Sequence, residues 1–409
     1  MMVLVLAVLS GIVGAMAVPP RARLGYSVSS ALIVLTLGTA IPQAGVVNTI
    51  IAAVITMTLP VLTAARPLRA HSSLWCYVLV AVIGSVAALA AGGINPFVSY
   101  VMLLGAALAV VASSMSRREW TAVWTVIVVV SAIVAVVLVV EAFVVRGVLF
   151  VDEAYGTNPF LPGIIRAQAM IGHPLVASFV CVLGLFVLLR SDVRLVLKLL
   201  LTPLFMAGVV ATGSSTTVVT VAVGIVGWFL VGRAAKLSVL RITALVLLVL
   251  GVAIVSFTPS ALLDDISPQQ SAHRLNSLRA IPALLSERGI SGALFGSGFG
   301  SAESLYRAGI FDNDGFFAID NQFVSVLASA GLIGAILFIV FLLGTLRRAP
   351  ALDRVFLLTL LLVFLGFDVL DSPSAGPLFL VFAAAAGASR TPDRSDESEE
   401  ASSLQRSVA

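Results

Sequence analysis

Two cysteines and three histidines are all that the 409 residues contain. Cys76 and Cys181 stand far apart in the chain, so neither a disulfide framework nor a metal-ligand spacing exists, and both read as packing residues. Charge is equally scarce. Asp, Glu, Lys and Arg make up 11% of the chain, against about 25% in a soluble globular protein. A chain with so little charge cannot solvate its whole surface. The formal charge of +4 is too small to mark a nucleic-acid partner, and where the charges fall matters more than their sum. The opening apolar run has no basic residues ahead of it, and its flank "VPPRARLG" (18–25) lacks a small-residue cleavage pattern. No cleavable signal peptide is expected.

What is present is hydrophobic sequence: 60% of the residues, with a mean hydropathy of +1.12. Apolar runs recur that are long enough to cross roughly 30 Å of hydrocarbon as helices. They fall near 2–18, 24–41, 46–65, 74–92, 97–115, 120–145, 174–189, 197–211, 215–232, 241–257, 321–346, 354–370 and 375–389. The expected fold is all-α, a polytopic membrane helix bundle of thirteen spans. The basic residues support that map. Eighteen of the 24 Lys and Arg fall in every second gap or in the tail, from Arg21 and Arg23 to Arg347, Arg348 and Arg354. The other six, Arg146, Arg166, Arg274, Arg279, Arg288 and Arg307, lie in two loops of opposite side. By the positive-inside rule the first set is cytoplasmic, which puts the N-terminus outside and the C-terminus inside.

Four regions follow: spans over 1–257 with an outer loop near 146–173, a large outer loop over 258–319, further spans over 320–389, and a tail over 390–409. Long loops in a compact protein are usually functional or disordered. The 258–319 loop keeps Leu, Ile and Phe at helical spacing, so it is expected to fold as a lid of short helices and Gly-rich turns. Its segment "AHRLNSLRAIPALLSERG" (272–289) reads as a short helix with Gly289 as a stop. The Ser-rich, mixed-charge tail is expected to be disordered.

Spans two to five contain no charge, and Glu141, Asp368 and Asp371 fall near outer ends of theirs. Ion-coupled carriers usually need ionisable groups near the bilayer midplane, so this pattern argues against ion-coupled transport. The outer loops instead gather Arg166, His173, His273, Arg274, Arg279 and Asp320. Arginine suits a diphosphate, because each guanidinium holds two oxygens and stays charged. A carboxylate or imidazole nearby can take the proton of an attacking hydroxyl, and the same arginines can stabilise a diphosphate leaving group. Plainer roles fit the same residues. Arg166 and Arg274 can anchor headgroups or pair with Asp152, Glu153, Asp264 or Asp265. His173, before Pro174, suits a cap or packing role, and Asp320-Asn321 suits a helix N-cap. "GSGFGS" (296–301) follows no strand, so its glycines fit tight turns or close backbone approach.

Several of these segments resemble, in order, the motifs of the O-antigen ligase and Wzy-type polysaccharide polymerase superfamily. "RAQAMIGHPLVASFV" (166–180) is similar to the family's Arg followed by "hPn", and "ATGSSTT" (211–217) to its "tgSRg". "HRLNSLRAIPAL" (273–284) resembles its "R…W…al" helix, "FGSGFGS" (295–301) its "GxG" turn, and "DNQFVSVLASAGLIG" (320–334) its "HNxyLxxLxexGliG". The resemblance covers roughly 160–340. Two departures stand out. The Arg of "tgSRg" is absent, with Ser215 and Thr216 in its place, and the His of "HN" is Asp320.

The resemblance implies a metal-independent, inverting membrane glycosyltransferase that needs no cofactor. Its donor would be a polyprenyl diphosphate-linked glycan and its acceptor a glycan or lipid-glycan, with a flippase and a chain-length regulator as partners. Asp320, Arg274 and His273 would be catalytic, and Arg166, Arg274 and Arg279 would hold the diphosphate. Asn321, His173, Gly298 and Gly300 would support them. The "DN" form favours a polymerase over a ligase. A lipid-linked oligosaccharide flippase or exporter is the competing expectation.

Overall fold

The computed structural model describes residues 2–38, 45–92, 96–151, 155–232, 276–311 and 317–388. Within them the chain is all-α, with fifteen helices and no strand beyond one isolated bridge between Thr157 and Ile165. The helices are α1 (Met2–Met16), α2 (Arg23–Leu37), α3 (Gly45–Leu62), α4 (Ser72–Ala90), α5 (Pro96–Ser113), α6 (Arg117–Val139), α7 (Pro174–Arg190), α8 (Leu195–Thr212) and α9 (Ser215–Gly232). Three short ones follow, α10 (Ile281–Ser286), α11 (Gly289–Phe295) and α12 (Ala302–Arg307), and then α13 (Gln322–Arg348), α14 (Ala351–Phe364) and α15 (Ala375–Ala388). Five apolar segments are long enough to cross a membrane by themselves: α4, α5, α6 with its continuation to Val145, α8 and α13. Every apolar run expected as a span forms a helix except 241–257, which lies outside the described residues, as do 258–275 and the tail.

The helices sort by how they are buried. α7 and α15 are apolar on every side, and almost every residue of each is buried, as a helix without a polar face must be. Around them α4 packs on α13, α5 on α15, α6 on α7 and α8, and α14 on α9. Ties between helix ends define one basic end. Arg23 donates to the carbonyls of Val18 and Thr63, and the Arg69 carbonyl accepts from Ser113 and Ser114. Buried Glu119 accepts from its own N-cap Ser116 and from the Gly25 N–H, joining α6 to α2. Arg190 pairs with buried Asp353 at 2.7 Å and lies over the Trp124 ring.

Two departures from the sequence expectation matter for function. The expected span 354–370 ends at Phe364, so α14 and α15 have 14 residues each. At 1.5 Å per residue each is about 21 Å long, short of a full crossing. The connection between them carries Asp368 and Asp371, with Val369 and Leu370 buried. The second departure is a break in α13 at Gly331 (φ 67°, ψ −169°). A left-handed φ of that kind costs an ordinary residue about 1–2 kcal/mol, and a Cβ there would lie 2.4 Å from the Leu294 backbone.

A break in a helix leaves the carbonyls one turn before it without partners. Here the segment 288–298 supplies them. Arg288 donates to the Leu327 and Ala328 carbonyls at 3.2 and 2.7 Å, the Ser297 N–H donates to Ala328 and the Gly298 N–H to Ser329, both at 2.9 Å. The turn that makes these bonds, "GSGFGS", runs between α13 and α4. Gly298 (φ +90°) meets the Ala88 backbone, Phe299 packs over Gly84, and its N–H donates to the Gly84 carbonyl at 3.1 Å. Gly300 has a positive φ as well. Leu284, Leu305, Tyr306, Phe311 and Ile319 complete a small core with Val324, Leu327 and Ala328 of α13. The described part of the lid is thus built onto a membrane helix.

Losing the Arg288 bonds removes the donor to the Leu327 carbonyl and one of the two donors to that of Ala328, at about 1.5–3 kcal/mol. Arg288→Met and Gly331→Ala should each lower the thermal unfolding midpoint in detergent by several degrees. Unchanged midpoints would contradict the capping role.

Candidate functional site

The end of the bundle opposite the basic one is assembled from four pieces: the segment 146–173, the end of α8, the start of α13 and the α14–α15 connection. Glu141 organises the first. Fully buried in a π-helical turn that continues α6 (Val140–Val145), it accepts from the Leu149 N–H at 3.0 Å and from those of Gln168 and Ala169 at 2.8 Å. A carboxylate that receives three backbone donors is well placed to be buried. Asn158 holds the same segment onto α8, donating to the Val210 and Ala211 carbonyls at 2.8 and 3.0 Å.

Arg166 sits where this segment crosses the end of α8, and its Nε donates to the Thr212 carbonyl at 3.0 Å. A guanidinium is favourable there, since helix C-termini present unpaired carbonyls and partial negative charge. His173 is the N-cap residue of α7, directly before Pro174. Its ring stands 4.8 Å from Tyr155, edge to face, and stacks on Phe367 at 5.1 Å. Burial first, then the Arg166 charge, lower the imidazole to about 4, and its Nδ1 has no hydrogen-bond partner. His173 is therefore a neutral, packed ring at ordinary pH.

Phe367 leads straight to the acids. Asp368 lies among Asp371 and Asp320, and burial followed by these like charges raises its pKa. Burial raises Asp371 too, opposed by the neighbouring Ser325 hydroxyl. Neighbouring like charges and burial both favour the protonated form of a carboxyl, which is the direction of the shift at Asp368. The N-cap of α13 is Asn321, whose Oδ1 accepts from the Phe323 and Val324 N–H groups at 3.0 and 3.2 Å. Asp320 precedes the cap. Gln322 Oε1 accepts from the Leu370 N–H at 2.7 Å, stitching α13 to the connection that bears Asp368 and Asp371. Gln322 is fully buried, yet its Nε2 is unpartnered.

Of the residues singled out in the sequence, Arg166 and His173 come together, and Asp320 and Asn321 join them through Phe367 and Asp368. Arg279 stands exposed on the lid segment before α10. Gly298 and Gly300 belong to the turn wedged between α4 and α13. His273 and Arg274 lie outside the described residues. Asp368, Asp371, Gln322 and Glu141 complete the arrangement, and sequence reading gave them no role. Their signal was weak: "DVLDSPSAG" (368–376) places two acids three residues apart beside an apolar run. Among the described residues, no three His, Cys, Asp or Glu side chains are placed to hold one metal ion. Chemically, the arrangement offers carboxylates whose affinity for a proton is raised by burial, linked to Arg166 through Phe367 and His173. No family model matches the chain, and no curated protein matches it in sequence.

The two kinds of buried group bias stability in opposite directions with pH. The folded state disfavours a proton on His173, so the stability His173 contributes is present above about 6.5 and is lost as pH falls toward about 4. Hence His173→Phe should gain on wild type as pH is lowered through that window. Asp371 favours its proton when folded, so its contribution is present below the ordinary aspartate value of 3.8 and is lost as pH rises toward about 7. Asp371→Asn should gain on wild type as pH rises across that range. Unfolding midpoints of the three proteins measured from pH 4 to about 8 check both, and differences independent of pH would contradict the assignments.

Proposed function

We propose that this protein is a membrane glycosyltransferase that joins polyprenyl diphosphate-linked glycan units, a polymerase before a ligase, in the building of a cell-envelope polysaccharide. The observation that carries the reading is the grouping of Asp320, Asp368 and Asp371 at the end of the bundle that also holds Arg166, to which they are linked through Phe367 and His173. In the reaction the acceptor hydroxyl attacks the anomeric carbon while the bond from that carbon to the diphosphate oxygen breaks. The hydroxyl proton passes to Asp320 as general base. The polyprenyl diphosphate leaves with the bonding electrons, its charge balanced by Arg166 together with Arg274 and Arg279 from the lid. Direct displacement inverts the anomeric carbon. The site faces outward and the basic end inward, with the C-terminus in the cytoplasm, as the distribution of arginines favours.

A second reading has one observation in its favour. Asp368 and Asp371 sit in the connection between two helices each too short to cross a membrane alone, and carboxylates between such helices commonly serve proton-coupled transport. On that reading the chain would be a lipid-linked oligosaccharide flippase.

One assay separates the two. Purified protein in detergent, given a polyprenyl diphosphate-linked oligosaccharide without nucleotide, should release polyprenyl diphosphate and lengthen the glycan. Asp320→Asn should lose about 10²–10⁴-fold of that rate, as expected for a missing general base, and Arg166→Ala and Arg274→Ala should lose comparable activity. Absence of turnover by folded protein across a range of donors, with proton-driven movement of the same lipid in vesicles, would replace the transferase by the flippase.

A further inference from the structure

The basic end of the bundle holds a cavity that the reaction above leaves unused. It lies between the start of α4 and the end of α13, with a volume of about 500 Å³, and its walls include Ser72, Ser73, Cys76, Gly344, Arg347 and Arg348. The two helices approach closely there because Gly344 lacks a side chain; a Cβ on it would stand 2.5 Å from that of Ser73. Arg348 reaches across the gap and donates to the Ser72 hydroxyl at 2.8 Å.

Everything at the polar end of this cavity favours an anion. Two guanidiniums meet the first turn of α4, where backbone N–H groups lack helical partners and the helix dipole is positive. Among the described residues, no carboxylate lines it. The local field is felt at His71, the N-cap of α4, whose imidazole is lowered to about 4 by burial and by Arg348. Just below, the surface becomes apolar. Val340 is 45% exposed, Leu343 60% and Trp75 52%, with Leu79 and Ile336 also exposed one turn deeper. Two arginines above a strip of exposed aliphatic side chains match a molecule with an anionic head and hydrocarbon chains.

We propose that this cavity binds the phosphate of an anionic glycerophospholipid from the leaflet at the basic end, held by Arg347 and Arg348, with its acyl chains along the α4–α13 seam. Arginine forks suit phosphate oxygens, and basic recesses between membrane helices commonly hold such headgroups. The Ser72 hydroxyl, which accepts from Arg348, adds a donor, while that of Ser73 is given to His71 Nδ1. The assignment is independent of the glycosyl transfer, since no residue is shared between the two sites.

Cys76 provides a built-in reporter, because it lines the cavity while the only other cysteine, Cys181, is fully buried. In detergent, phosphatidylglycerol should slow labelling of Cys76 by N-ethylmaleimide about tenfold or more relative to phosphatidylcholine, the order expected for a charge-assisted contact. Arg347→Gln/Arg348→Gln should lose this protection, and Arg347→Lys/Arg348→Lys should retain part of it. Cys181 should stay unlabelled in every variant, which shows that each is folded. Equal protection by the two lipids, or protection that survives the Gln pair, would overturn the proposal. So would protection by inorganic phosphate alone, which would assign the site to a soluble anion.

Discussion

The break in α13 at Gly331 is the constraint on which the outer end depends. A broken helix inside an apolar bundle exposes carbonyls that no water can satisfy, and each costs several kcal/mol if left alone. The lid meets that demand. Arg288 and the amides of Ser297 and Gly298 complete the hydrogen bonding of Leu327, Ala328 and Ser329. The break and the lid therefore require each other. Their joining also fixes the first turn of α13, where Asn321 caps the helix, Asp320 enters the acid cluster and Gln322 holds the α14–α15 connection.

The same logic governs the other polar groups. Each buried charge has a defined partner or a defined neighbour. Glu119 ties α6 to α2, Glu141 gathers three amides of the 146–173 segment, and Asp353 pairs with Arg190. Asp368 and Asp371 differ from these, because like charges surround them. Groups held against their own preference are characteristic of chemistry, and this contrast underlies the proposed role of the cluster.

The helices were legible in the sequence because long apolar runs admit few alternatives, and the described helices start and stop within a few residues of those runs. The end of α14 was not. Apolar residues continue past Phe364 to Leu370, and nothing local shows that the chain leaves the helix after Phe364 to bring Asp368 toward Asp320. Those two aspartates are 48 positions apart, so only packing brings them together. Arg166 was legible as a charged residue before α7, but its bond to the end of α8 required knowledge of where Thr212 ends. The Gly-rich turn carried a clear signal for positive φ, yet its partner, the break at Gly331, showed only as one glycine in an apolar run. The resemblance to the polymerase and ligase superfamily remains the source of the donor, the diphosphate and the roles of His273 and Arg274.

The most direct test of the account is hydrogen–deuterium exchange over the peptides that span 294–301 and 325–334 in the detergent-solubilised protein. If the turn completes the broken helix, the Ser297, Gly298 and Phe299 amides should exchange as slowly as those of the α13 core, although they lie in a loop. Arg288→Met should speed both peptides together. Rapid exchange of 294–301 in the wild type, with α13 still protected, would show that the lid does not complete the helix and that the outer end is organised in some other way.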